Sequence, residues 1–239
     1  YEEDHPSPSW WHLTEDDWII WTGDGDYDWW MQALERVTGN PRRAVQHVGT
    51  AYRRGHRWMN RMDATIRARV RFLSCDLLRF ATASPPAVPR FAPADPMPPS
   101  PRWDGRGPLR LCHTPSSGEK GTAQIVDALQ GLPVDFEIIR GVSWPECVQR
   151  RARAHVLLDH LAPDVGAFGQ SATEALAQGL MVISDMRHTS AAWYVLERPP
   201  VVQVDGAAQM RVAVEMLLEE PQRVADGRSD ALAWSARNT

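Results

Sequence analysis

The chain has 239 residues, 43% of them hydrophobic and 23% charged, which suits one large or two small globular domains with ample length for a buried core. A net charge of −4 argues against a protein that coats DNA indiscriminately, and no apolar run approaches the ~20 residues of a membrane span. Three scattered cysteines, Cys75, Cys112 and Cys147, give neither a disulfide framework nor a zinc site; with no signal-peptide pattern, a reducing cytoplasm is expected.

Tyr1 opens the chain in place of Met, so a fragment and a processed form are both open. In the first half, DWIIW (17–21) reads as a strand, YDWWMQALERV (27–37) as a helix, and RAVQHVG (43–49) and VRFLS (70–74) as strands. Charge is divided sharply here. Residues 1–40 hold ten acidic side chains and one Arg, whereas residues 42–71 hold nine Arg and one Asp. The Arg-rich stretch reads either as a solvated helix face or as a phosphate-facing surface, nucleic acid included. Seven of the eleven tryptophans fall in the first 60 residues. Most are expected to pack, and a minority to stack on a sugar or a base.

Residues 84–108 carry nine prolines, which no helix or central strand can accommodate, so they read as a semi-rigid connector. Beyond it short apolar runs alternate with helical patterns. LRLCH (109–113), VDFEII (134–139), HVLLD (155–159), LMVIS (180–184) and VVQV (201–204) read as strands. Residues 120–132, 144–152, 170–179, 189–197 and 207–220 read as helices, the first with Ile125, Val126 and Leu129 on one face. The alternation predicts an α/β fold with a parallel, doubly wound sheet. The domain expectation is a first lobe over 1–84, a linker over 85–108, a second lobe over 109–220 and a tail over 221–239.

Open α/β sheets bind ligands where strand carboxyl ends meet helix N-termini. Two loops of the second lobe meet that description. HTPSSGEKG (113–121) contains Lys120, the only lysine of the chain. It presents a compact ammonium where every other strong base is a planar guanidinium. Gly118 and Gly121 allow close backbone approach to an anion, while Ser116 and Ser117 suit turn and cap hydrogen bonds. The second loop, DVGAFGQSATEALAQG (164–179), opens a helix at once. Free amides are expected at Gly169, Gln170 and Ser171, with Glu174 about one turn in. Glu174 reads either as compensation of the helix dipole or as a ligand for a ribose diol.

Together these loops resemble the donor-binding lobe of GT-B glycosyltransferases, the retaining group-1-like family: HTPSSGEKGTAQIVDAL, IIRGVSWPE and AHVLLDHLAPDVGAFGQSATEALAQGLMVIS carry the likeness. QHVGTAYR (46–53) and FLSCDLL (72–78) are similar to first-lobe segments of the same family. The resemblance implies a GT-B fold of two Rossmann-like lobes with a cleft between them. It implies a metal-independent glycosyltransferase that takes a nucleotide-diphosphate sugar, UDP- or GDP-linked, as donor substrate, uses no cofactor and retains configuration. By position, Ser117, Lys120, Phe168, Gly169, Gln170 and Ser171 would serve the donor diphosphate, Glu174 the ribose, and Arg140, Gly141 and Val142 the base. His47, Gly49, Arg53 and Asp164 would lie on the sugar and acceptor side, with His47 and Lys120 as the catalytic candidates.

The chain also departs from the family pattern. Gly166 stands where a second Glu is frequent, Met181 where Pro is usual, and Asp159-His160 where Asp-Gln is common. The family's opening strand and glycine-rich turn have no counterpart after Tyr1, so the first lobe is expected to be short or N-terminally incomplete. The acceptor is read as a carbohydrate or a hydroxymethylated DNA base approached through residues 42–71. The alternative is a non-catalytic nucleotide- or nucleic-acid-binding module with a degenerate GT-B fold, and a nucleotide-sugar epimerase shares the fold. On either transferase or module, Lys120→Ala and Glu174→Ala are expected to weaken nucleotide binding and leave the fold intact.

Overall fold

Five short apolar segments of the second half pair side by side, all in one direction. The computed structural model describes residues 97–115, 120–161, 168–187 and 196–238 in full, and the backbone of four strands before them. Contacts divide the chain into two units, Tyr1–Arg90 and Phe91–Thr239.

In the first unit the strands are β1 (Trp18–Thr22), β2 (Arg43–Val48), β3 (Val70–Ser74) and β4 (Val88–Pro89), parallel and in that order across one sheet. Their register pairs Thr22 with His47 and His47 with Leu73. Proline has no N–H for a ladder, and Pro89 sits in the edge strand where none is needed. The helix expected at 27–37 lies outside the described residues.

The second unit runs β5 (Leu109–His113), α1 (Thr122–Leu129), β6 (Val134–Ile138), α2 (Trp144–Arg151), β7 (Val156–Leu158), α3 (Gln170–Ala177), β8 (Met181–Ser184), β9 (Val201–Gln203), α4 (Ala207–Glu219) and α5 (Gln222–Asn238). The sheet order is β6-β5-β7-β8-β9. The parallel strands and their intervening helices match the α/β expectation, element by element, to within one or two residues at most ends. The helix expected at 189–197 falls largely on residues outside those described.

All three residues of β7 are buried, as a central strand covered on both faces requires. Leu109, Leu111, Val156, Leu158 and Ile183 from the strands pack with Ile125 and Leu129 of α1 and with Met210, Val214 and Leu217 of α4. Each such side chain contributes about 1.5–3 kcal/mol through burial. The inward face of α1 is Ile125, Ala128 and Leu129. Val126, expected on it, is 38% exposed, because one residue along a helix rotates the side chain by about 100°.

Two boundaries differ from expectation. Residues 97–108 are not a free linker but dock on the second unit. Ser100 N donates to Gln178 O at 2.7 Å, and Ser100 Oγ donates to Gly179 O at 3.0 Å. Trp103, 7% exposed, enters the core and stacks on His155 at 6.0 Å. Proline bars this segment from the ladders but not from burial. The expected tail over 221–239 is the 17-residue helix α5. Val224, Ala231 and Trp234 form its buried stripe, at spacings of seven and three that keep one helical face. Gly179, left-handed at φ 76°, ends α3 and leaves room for this helix: a Cβ there would lie 3.1 Å from Leu232 Cγ. Among the described residues no helix is long and apolar enough to cross a membrane.

His155, at the amino end of β7, is buried between Trp103 and Arg110. The Arg110 amide donates to its Nδ1 at 3.0 Å, and the Arg110 guanidinium lies 3.0 Å from Nε2. A protonated ring accepts at neither nitrogen. Burial first, and then the charge of Arg110, lower its pKa from 6.5 to about 4. The unfolded chain therefore binds a proton that the folded chain refuses. Stability from this residue is complete above pH 6.5 and is lost as pH falls toward 4, by no more than about 3 kcal/mol. Urea denaturation across that window should show the loss, and His155→Gln should flatten it.

Candidate functional site

β5 connects to β6 on one side while β7 lies on its other side, so the chain reverses its direction of winding between β5 and β7. Such a switch point leaves a crevice at the carboxyl ends of the two strands. The residues at the strand ends there are polar and buried: His113 and Thr114 at the end of β5, Asp159 and His160 after β7, Ser184 and Asp185 at the end of β8.

Lys120 reaches into this cluster from just ahead of α1. Gly121, at φ 73°, makes its position attainable, because a Cβ there would strain the backbone and meet Leu161 Cβ at 3.2 Å. The Leu161 amide donates to Lys120 O at 3.2 Å and ties the loop to the end of β7. The Lys120 ammonium, on a residue 8% exposed, donates to Asp159 Oδ1 at 2.9 Å, to Ser171 Oγ at 3.4 Å and to Thr114 O at 3.5 Å. Three acceptors around one nitrogen suit an ammonium better than a planar fork. Burial alone would raise the Asp159 pKa. The charge of the Lys120 ammonium, with its hydrogen bond, outweighs it and holds the carboxyl below its ordinary value. Lys120 is thus already paired, with a buried carboxylate.

The mouth of α3 lies beside this pair. Gly169 is its N-cap, extended at φ −89° and ψ 177°, and as a glycine it brings no side chain to cap the first turn. Glu174, 4% exposed, is held from three directions. Arg151 NH2 donates to Oε2 at 2.7 Å, while Trp144 Nε1 and Gln170 Nε2 donate to Oε1 at 3.1 and 3.0 Å. It lies beyond the first turn and is neutralised by a buried Arg, so dipole compensation does not account for it. Arg151 is itself fixed by Gln178, which donates to Val148 O at 2.9 Å.

A cleft of about 530 Å³ opens over these groups. Thr114 and Pro115 follow β5 into it, and Arg140, Gly141 and Val142 follow β6. Trp144, Cys147 and Arg151 line it from α2; Gln170, Ser171 and Glu174 line it from α3. Gly141, Val142, Gln170, Ser171 and Glu174 are therefore brought together, with Lys120 beneath the wall they form. Phe168 is 3% exposed and packs edge-on against Trp234 at 5.8 Å, behind the mouth of α3 and outside the cleft lining. Ser117, Asp164, Gly49 and Arg53 lie outside the described residues. His47 is placed only as the next-to-last residue of β2, in the other unit.

Thr114, Trp144, Arg151, Asp159 and His160 escaped the sequence reading as site residues. Asp159 and His160 had a signal, since they stand at the family's Asp-Gln position. Trp144 and Arg151 had none beyond the helix that carries them. Among the described residues no group of three or more His, Cys, Asp and Glu side chains is placed to hold a metal ion.

Substitution here has two expected outcomes. Gly121→Ala should cost about 1–3 kcal/mol of stability in urea denaturation, from the left-handed backbone alone. Lys120→Met and Asp159→Asn should each cost about 3–5 kcal/mol, because each leaves a buried charge without its partner, and the double variant should recover much of that loss. The expectation that Lys120→Ala and Glu174→Ala leave the fold intact meets a stability cost here: both residues sit in buried ion pairs, and truncation strands Asp159 or Arg151.

No family model and no curated protein matches this sequence. Among solved structures, the chain is similar to Anabaena HepE, determined in complex with UDP and glucose: 14% identity, a TM-score of 0.54, and coverage of 82% of this chain and 67% of that one. It also aligns with CalG4, the calicheamicin glycosyltransferase, at 13% identity and a TM-score of 0.39, over 92% of this chain and 73% of that one. The likeness to HepE is one of architecture, two units with parallel sheets, and the chain has a GT-B glycosyltransferase-like α/β fold.

Proposed function

We propose that this protein is a glycosyltransferase that moves a sugar from a nucleoside-diphosphate sugar to an acceptor hydroxyl. The observation that carries this is the 3.4 Å approach of Lys120 Nζ to Ser171 Oγ, which brings the ammonium-bearing loop and the mouth of α3 to one cleft wall. A diphosphate placed there meets a cation, the first-turn amides at Gln170 and Ser171, and the positive end of a helix dipole. As the bond from the anomeric carbon to the diphosphate oxygen breaks, negative charge grows on that oxygen. Donors already fixed around it lower the barrier without having to reorganise. The chain supplies this positive charge itself, and the transfer is read as metal-independent.

The remaining roles follow the cleft. Glu174, oriented by Arg151 and Trp144, faces the ribose hydroxyls. Gly141, Val142 and the half-exposed ring of Trp144 form the base end. Gly169 caps the phosphate-binding turn, and Ser117 keeps the phosphate-side role that the resemblance implies. Phe168 braces that turn from behind. UDP- and GDP-sugars are both candidate donors, and the UDP and glucose bound by HepE make UDP-glucose the first to try. The acceptor, a carbohydrate or a hydroxymethylated DNA base, is assigned to His47, Gly49, Arg53, Asp164 and the arginines of 42–71, in a cytoplasmic setting.

Calorimetry with UDP-glucose and GDP-glucose tests the donor site. One of them should bind, and at 100 times its Kd should add about 2.7 kcal/mol of stability in a thermal unfolding assay. Trp144 is 52% exposed but donates to the Glu174 carboxylate, so Trp144→Ala should cost up to about 1.5–3 kcal/mol of stability and weaken binding about tenfold or more, through loss of a stacking surface and of the bond that orients Glu174. Neither sugar nucleotide binding would contradict the donor site. Binding without release of nucleoside diphosphate to any acceptor class would leave only a nucleotide-binding module.

A further inference from the structure

Beneath the cleft is a group that donor binding, as described, leaves unused. His160 follows Asp159 out of β7 and is 1% exposed, and among the described residues neither of its ring nitrogens has a hydrogen-bond partner. Its Nε2 lies 3.8 Å from Asp159 Oδ2, too far for a hydrogen bond and near enough for an ion pair if the ring is charged. A buried polar group left unpaired is unfavourable, so this ring is poised for a state in which it finds a partner.

The groups around it are accounted for. His113 is engaged at both nitrogens, Nδ1 donating to Leu158 O at 2.7 Å and Nε2 lying 3.0 Å from the Thr122 hydroxyl, and burial lowers its pKa below the ordinary value. Asp185, at the end of β8, receives two hydrogen bonds from the Arg187 guanidinium, at 3.0 and 2.7 Å, and its amide donates to His160 O. Lys120 pairs with Asp159. Lys120 with Asp159 and Arg187 with Asp185 thus match their charges in pairs.

A diphosphate at the Ser171 wall upsets that balance. It competes with Asp159 for the Lys120 ammonium, and the Asp159 side chain, 2% exposed, has little water to replace the lost charge. Among the described residues, the base beside Asp159 with an open lone pair is His160, 3.8 Å away. Imidazole is the stronger base of the two by ordinary values, about 6.5 against 3.9. Its protonation also converts the 3.8 Å approach into a charge-assisted contact.

We propose that His160 takes up one proton when a nucleoside-diphosphate sugar binds, and that the resulting imidazolium replaces Lys120 as the counter-ion of Asp159. The proton comes from solvent to a ring-nitrogen lone pair, and no covalent bond in the protein or the ligand breaks. His160 is a positioning residue in this scheme: it frees the ammonium for the diphosphate and never touches the substrate. The inference rests on the nucleotide-sugar reading above.

Calorimetric titration of the full chain with UDP-glucose and GDP-glucose tests it, because their diphosphate does not itself titrate near neutral pH. At pH 7.5, in two buffers of different ionisation enthalpy, the wild-type heats should differ by net uptake approaching one proton per site. Affinity should fall by up to about tenfold per pH unit above neutrality. His160→Gln should still bind, with the uptake lost and the pH dependence flat. Equal heats in the two buffers for wild type, or undiminished uptake in His160→Gln, would overturn the proposal. If that variant does not fold, long-range proton–nitrogen NMR of the wild type reads the same event. One of its eight imidazoles should pass to the imidazolium pattern on ligand addition; no change in any ring would overturn the proposal. Failure of both sugar nucleotides to bind would remove the donor-site reading and this inference with it, whereas tight binding without proton uptake would remove this inference alone.

Discussion

A buried ammonium on a buried carboxylate, Lys120 on Asp159 at 2.9 Å, is the contact on which the rest of this site depends. Removing two charges from water costs several kcal/mol per ion, and their attraction in a low dielectric roughly returns it. The pair therefore adds little net stability. What it does is positional. It anchors the loop after β5 to the end of β7, and it holds a cation under the mouth of α3. It also leaves the bottom of the cleft electrically neutral, so that any arriving anion disturbs a balance rather than filling a vacancy.

A second buried pair, Arg151 with Glu174, does for the other end of the cleft what the first does for the phosphate end. Its support comes from far along the chain. Gln178 bonds Arg151, donates to Val148 O and Pro98 O, and gives its own carbonyl to Ser100. Trp234 of the last helix packs on Phe168, one residue ahead of the N-cap of α3. The proline-rich connector and the C-terminal helix thus brace α3 from behind. A helix of eight residues is too short to be stable alone, and this one is held by its surroundings at both ends.

The alternation of strands and helices was legible in the sequence because strand and helix leave different periods, and short apolar runs bounded by turns have few other readings. Loops that follow strands and open helices were legible for the same reason, so Gly141, Val142, Gln170, Ser171 and Glu174 could be named before their cleft was seen. Pairings across the fold were not. Asp159 is 39 residues from Lys120, and Arg151 is 23 from Glu174, and no local pattern says that either pair meets. The same holds for α5: its stripe of Val224, Ala231 and Trp234 is thin, and Gly227 interrupts it, so only packing against β8 and α3 reveals a helix. Proline content marked 85–108 as a connector, yet β4 at Val88–Pro89 lies inside that stretch, and nothing in the prolines said that Trp103 would enter the core.

The most direct measurement is a crystal structure of the full chain with UDP-glucose, or with whichever sugar nucleotide binds more tightly. The account predicts diphosphate oxygens within about 2.7–3.2 Å of Lys120 Nζ and of a first-turn amide of α3, at Gln170 or Ser171. A bound nucleotide whose diphosphate lies away from both groups, with the ammonium still turned only to Asp159, would contradict it.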